Sequence, residues 1–136
     1  MAITRYTTLQ DYANKVTLVS FFYPRCPYCN LELPERQKMY DKYYFKDKGL
    51  SMVWINILPE EESLIKGWQL GKNLNVPVLV GASQDSLTKD YKLVSTPTSY
   101  LLGPSGEVIF LQTGYKPGDV TTLENRIAIA LAGGTP

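Results

Sequence analysis

Val16-Thr17-Leu18-Val19-Ser20-Phe21-Phe22-Tyr23-Pro24-Arg25-Cys26-Pro27-Tyr28-Cys29 decides the fold. Its first eight residues are a β-branched and aromatic run of strand length. They are too apolar throughout to leave one face in water, so a central position in a sheet covered on both sides is expected. Pro24 stops the strand, and helix-favouring sequence begins just after Cys26. That cysteine therefore falls at or near a helix N-cap, where unpaired backbone N–H groups and the helix dipole favour an anion, here a thiolate. Cysteines so placed have pKa values lowered from about 8.5 into roughly the 3.5–7.5 range. Cys29 lies about one helical turn further on and slightly deeper. That spacing lets a second thiol attack a mixed disulfide formed by the first and release a reduced partner.

Other uses of a cysteine pair fit less well. Apolar filler rarely falls as C-x-x-C at a strand-to-helix junction. A structural zinc site takes four ligands, commonly cysteine or histidine, and the chain has two cysteines and no histidine. A metal would need carboxylates or a second subunit, and a histidine-dependent copper carrier is likewise disfavoured.

At 136 residues with 44% hydrophobic content, the chain suits one core and is too short for two ordinary domains. A single domain over 1–136, with its core at about 16–132, is expected. Lys plus Arg total 14 against 13 Asp plus Glu, a formal net charge of +1. This balance argues against nucleic acid as a partner and against strong steering by charge. No apolar run approaches the roughly 20 residues that span a bilayer, and Met1-Ala2-Ile3-Thr4-Arg5 does not read as a signal peptide.

The remaining elements alternate. Tyr28 to about Lys46 reads as a helix with Leu33, Arg36, Tyr40 and Tyr43/Tyr44 on one side and a kink expected at Pro34. Leu50 to Ile57 is a second strand. Pro59 and Glu60-Glu61-Glu62 open a helix carrying Leu64, Ile65 and Trp68, and Val76 to Val80 reads as a short strand. A short helix capped by Ser83 or Asp85 follows, with Leu87 and Tyr91 in contact. Strands at Thr98–Leu102 and Glu107–Gln112 flank the turn Gly103-Pro104-Ser105-Gly106. A last helix, about Val120 to Ala132, aligns Val120, Leu123, Ile127 and Leu131 and stops at Gly133-Gly134. The order βαβαβαββα predicts an α/β fold with a mixed central sheet and helices on both faces.

From Val16 to Leu131 the chain resembles the thioredoxin superfamily, and within it the TlpA-like and ResA-like thiol-disulfide oxidoreductases. The resemblance rests on Phe21 to Cys29, on Pro34, on Val53-Trp54-Ile55-Asn56-Ile57, on Ser95-Thr96-Pro97-Thr98 and on the hairpin Gly103 to Val108. An extra helix and strand between Glu60 and Val80 favours the TlpA-like branch over plain thioredoxin. The resemblance implies a thioredoxin fold, Cys26 as nucleophile and Cys29 as resolving thiol. It also implies that Pro97 is a cis proline facing the pair, with Thr96 offering backbone groups to an extended substrate. Two departures stand out: Ser20 occupies the place of thioredoxin's buried acid, and Arg25 replaces the tryptophan usual before the first cysteine.

Single residues have competing readings. In the ResA-like branch a glutamate at the position of Glu32 handles the protons of the thiols; otherwise Glu32 is a solvated helix carboxylate. Arg25 either lowers the Cys26 pKa or contacts an acidic partner, or it points into water. Phe22 and Tyr23 either line the approach to the disulfide or pack in the core. Pro27 and Tyr28 would form exposed contact surface, and Cys26 should be more exposed than Cys29.

The resulting expectation is a thiol-disulfide oxidoreductase, a monomer with no cofactor beyond the Cys26–Cys29 dithiol. Its partners would be proteins carrying thiols or disulfides, apocytochrome c among them, and an upstream membrane electron donor. The resemblance implies a periplasmic or otherwise extracytoplasmic reductant, anchored through a segment outside this sequence; a cytoplasmic setting is the alternative. The competing functions are a thiol peroxidase, whose Pro-x-x-x-Thr-x-x-Cys pattern is absent, and a binding module with spectator cysteines.

Overall fold

A computed structural model describes residues 15–43, 50–79 and 96–132. Within them β1 (Val16–Phe22) leads to α1 (Pro27–Tyr43) and β2 (Leu50–Asn56). A 3-10 segment at Pro59–Leu64 runs into α2 (Ile65–Lys72), followed by β3 (Val78–Leu79), β4 (Thr98–Leu102), β5 (Val108–Thr113) and α3 (Asp119–Leu131). The strands form one sheet in the order β3-β2-β1-β4-β5. β1 runs parallel to β2 from Val16↔Leu50 to Phe22↔Asn56 and antiparallel to β4 from Thr17↔Leu102 to Phe21↔Thr98. The continuous apolar reading of β1 is thus explained: every residue of this central strand is buried.

Alternation along β1 divides the core. Leu18 and Phe22 face one side with Met52 and Trp54 of β2, Leu33, Met39 and Tyr40 of α1, Ile65 of α2, and Leu123 and Ile127 of α3. Val19 and Phe21 face the other with Val53, Ile55 and Leu79. The two crossovers β1-α1-β2 and β2-α2-β3 step the same way across the sheet. Right-handed connections therefore put both helices on the same face. The short helix expected between Ser83 and Tyr91 lies outside the described residues, as do Tyr44 and the end of the first helix expected near Lys46.

The mixed sheet and the extra helix and strand agree with the sequence reading, with adjusted edges. α1 passes through Pro34 as one helix. Among the described residues β3 covers Val78 and Leu79, pairing with Trp54 and Ile55; at its start Pro77 has no N–H to give to a ladder, although its carbonyl accepts from Trp54 N at 2.9 Å, and Val80 lies outside the described residues. The acidic run Glu60-Glu61-Glu62 sits in the 3-10 segment rather than in the first turn of an α-helix. The β4–β5 hairpin turns at Gly106, whose φ of 86° suits a glycine.

Truncating Leu18 to Ala, at the centre of β1 and fully buried, should cost about 2–5 kcal/mol in chemical denaturation. Leu70→Ala on the exposed side of α2 should shift stability by less than about 0.5 kcal/mol.

Candidate active site

The strand-to-helix junction is held by backbone geometry before any side-chain chemistry begins. Cys26 N donates to Tyr23 O at 3.0 Å, closing the turn around Pro24 and Arg25. α1 then starts at Pro27, so Cys26 is its N-cap and Pro27 takes the first helical position, where a missing N–H costs nothing. Cys29 N donates to Cys26 Sγ at 3.2 Å. This is the bond a serine or threonine oxygen makes at an N-cap, with sulfur in its place. Cys26 and Cys29 form a disulfide with their Cα atoms 5.2 Å apart.

The segment around α2 braces this junction. Asn30 Nδ2 donates to Pro24 O at 2.9 Å and to Cys26 O at 2.7 Å, while its Oδ1 accepts from Trp68 Nε1 at 2.7 Å. Glu61 Oε1 accepts from Arg25 N at 3.0 Å. Trp68 also stacks on Phe22, with ring centroids 5.0 Å apart. Across the sulfurs from the helix, Thr96 Oγ1 donates to Cys26 Sγ at 3.5 Å, and the Thr96–Pro97 peptide bond is cis.

The structure thus gathers Cys26, Cys29, Thr96 and Pro97. Pro27 and Arg25 are exposed. Tyr28 is 59% exposed, and Leu31, which the sequence reading did not single out, is 56% exposed beside it. Phe22 is fully buried and belongs to the core, not to the approach. The expected contrast in exposure between the cysteines is slight, 2% for Cys26 against 0% for Cys29. What distinguishes them is position on the helix. Asn30, Glu61 and Trp68 were also missed, because their bonds join segments far apart in sequence.

Glu32 is only 1% exposed, which overturns the reading of a solvated helix carboxylate. Its Oε1 accepts from Arg36 NH2, one helical turn further along α1, and Arg36 is 0% exposed. Burial raises the Glu32 carboxyl from its ordinary 4.5 to about 7; Arg36 opposes that rise, while Asp119 and Glu35 add to it. Burial likewise pulls Arg36 below the usual guanidinium range, opposed chiefly by Glu32. Ser20, in the place of thioredoxin's acid, meets Ser99 directly across β1 and β4 with the two hydroxyl oxygens 2.9 Å apart. Among the described residues no three His, Cys, Asp or Glu side chains are grouped to hold a metal ion.

Residues 4–127 match the Redoxin family. The chain belongs to that family. Within it, the sequence is 29% identical over 94 residues to sporulation thiol-disulfide oxidoreductase A of Bacillus subtilis, covering 68% of this chain and 55% of that protein. It is 28% identical over 101 residues to thiol-disulfide oxidoreductase ResA of Bacillus thuringiensis, covering 74% and 56%. The chain thus spans little more than half the length of these curated relatives. Among solved structures, one from Chlorobium tepidum carrying the name thiol:disulfide interchange protein DsbE superposes with a TM-score of 0.79, at 26% identity over 90% of this chain and 84% of that one. StoA from Bacillus subtilis superposes with a TM-score of 0.69 at 24% identity, covering 83% and 82%. This Redoxin member has the thioredoxin fold of the TlpA-like and ResA-like group.

The raised Glu32 carboxyl has a consequence for stability. Between about pH 4.5 and 7 the unfolded chain releases the Glu32 proton while the folded chain keeps it, so rising pH favours unfolding across that window. Relative to Glu32→Gln, the wild type should lose on the order of 3 kcal/mol of stability between pH 4.5 and 8. Denaturant titrations of both proteins across that range check this.

Proposed function

We propose that this chain is a thiol-disulfide oxidoreductase that exchanges the Cys26–Cys29 disulfide with protein thiols and disulfides. The observation that carries the reading is the hydrogen bond of Cys29 N–H to Cys26 Sγ at the N-cap of α1. In the reduced protein, that N–H and the helix dipole favour thiolate over thiol at Cys26.

Acting as a reductant, the Cys26 thiolate attacks one sulfur of a substrate disulfide. The S–S bond of the substrate breaks, its other sulfur leaves as a thiolate that takes up a proton, and a mixed disulfide joins Cys26 to the substrate. Cys29 loses its proton, attacks Cys26 Sγ and displaces the second substrate sulfur as a thiolate. Two electrons have passed to the substrate and the Cys26–Cys29 disulfide is formed.

In this scheme Glu32 supplies or accepts the proton that each thiol step requires. Its burial and a carboxyl poised at about 7 suit that role. Tyr28, Leu31 and Pro27 form a largely apolar exposed rim for a protein substrate. Thr96 and Pro97 offer the opposite wall, where the Thr96 backbone pairs with an extended substrate segment. Arg25, also exposed, contacts the partner from the near side of Cys26.

By its resemblance to the ResA-like group, the setting is proposed to be extracytoplasmic, with apocytochrome c among the substrates and a membrane electron donor upstream. No helix among the described residues is long and apolar enough to cross a membrane.

Cys26→Ser should reduce exchange with a disulfide protein to the uncatalysed rate. Cys29→Ser should accumulate a mixed disulfide with substrate, seen on non-reducing gels and cleared by dithiothreitol. If Cys29→Ser retains turnover while iodoacetamide labels Cys29 before Cys26, the roles are reversed. If neither substitution alters disulfide reduction, the cysteines are spectators.

A further inference from the structure

An arginine on the apolar side of a helix is costly, because a buried guanidinium must find partners for five N–H donors. Arg36 is fully buried among the neighbours of α1, yet only its NH2 has a partner, Glu32 Oε1. Arg36 Nε and NH1, and Glu32 Oε2, have none among the described residues. Among the described residues the pair thus leaves three buried polar atoms without a partner. A leucine or methionine at 36 would fill the same space between Leu33 and Tyr40 without desolvating a charge, and replacing buried ion pairs by apolar residues is often neutral or stabilising.

What the arrangement does is fix one carboxylate oxygen. Glu32 lies one helical turn beyond Cys29, and Arg36 one turn beyond Glu32. All three are buried along one side of α1. Arg36 grips Oε1 from the C-terminal side and leaves Oε2 unengaged. We propose that Arg36 is a positioning residue for the thiol chemistry: its buried guanidinium holds Glu32 in one orientation, with a single oxygen left to exchange protons. This rests on the proton-transfer role of Glu32 proposed above.

The electrostatics run in the same direction. The other charged groups acting on this carboxyl are Glu35 on α1 and Asp119 at the start of α3; Tyr115, before α3, hydrogen-bonds to Glu35 and is itself pushed up by burial and by these carboxylates. Glu35 and Asp119 both raise the pKa of Glu32, as does burial; Arg36 alone lowers it. Without that cation, burial and two neighbouring carboxylates would keep Glu32 protonated well above neutrality, where it could not accept a proton from a thiol.

The test is the pH profile of Cys26 alkylation in the reduced protein, read beside the side-chain carboxyl 13C shift of Glu32. Variants Arg36→Met, Arg36→Lys, Glu32→Gln and the double variant Glu32→Gln/Arg36→Met are compared, with circular dichroism confirming the fold of each. In Arg36→Met the Glu32 carboxyl titration and the matching inflection in the alkylation profile should move up by about 1–3 pH units. Arg36→Lys, which keeps the charge, should restore most of the shift. Glu32→Gln should lack the inflection, and the double variant should match it, since Arg36 acts through Glu32.

A profile for Arg36→Met that superimposes on the wild type, while that of Glu32→Gln differs, overturns the role of Arg36 and leaves that of Glu32 standing. A Glu32→Gln profile that superimposes on the wild type overturns the proton-transfer reading itself. Should Arg36→Met fail to fold, the comparison of the double variant with Glu32→Gln decides: a double variant whose profile departs from that of Glu32→Gln contradicts action through Glu32.

Discussion

The site depends on where β1 ends. A strand buried on both faces and paired on both edges cannot shift its register without exposing apolar side chains, so Phe22 and the turn after it are fixed in space. Pro24 and the Tyr23 O···H–N Cys26 bond then hand the chain to α1 at one point. Cys26 takes the N-cap because α1 begins at the next residue, Pro27. Its sulfur receives the N–H of Cys29 as a capping oxygen would. Scaffold and chemistry share this bond: the geometry that starts the helix also brings the two sulfurs together, and in the proposed exchange it would favour a thiolate at the first once the disulfide is reduced.

The α2 segment contributes more than extra sheet. Through Glu61 on Arg25 N, and through Trp68 on Asn30, it ties the cysteine turn to a part of the fold reached only after β2. The sheet holds the turn from below and these bonds hold it from the flank. Ser20 and Ser99 bond to each other beneath the helices, so no titrating group stands on β1 where thioredoxin has its acid. In this chain the buried acid is on the helix instead, at Glu32, accompanied by its own cation.

Much of this was legible in the residues. The apolar run of β1, the Cys26–Cys29 spacing, the Gly103–Gly106 turn and the Leu123/Ile127 stripe of α3 are local patterns, and local patterns survive translation into structure. Element edges shifted where a local rule competed with pairing, as at Pro77. The fate of Glu32 was not legible, because a carboxylate on a helix is solvated or buried according to what packs over it. Arg36 did fall on the Leu33/Tyr40 side of α1, and its offset of one turn from Glu32 was the available signal for a buried pair. The bonds of Asn30, Glu61 and Trp68 link distant segments and leave no periodic trace.

The most direct test of the account is a redox titration of the intact chain in dithiothreitol or glutathione buffers. Fluorescence of Trp68, which stacks on Phe22 and bonds to Asn30, serves as reporter, and acid-quenched thiol labelling measures the dithiol. A reversible two-electron transition, in which the fluorescence change and the labelling of both Cys26 and Cys29 coincide, is the predicted result. Thiols that stay unlabelled across the full buffer range, or that label independently of one another, would contradict a redox-active Cys26–Cys29 pair.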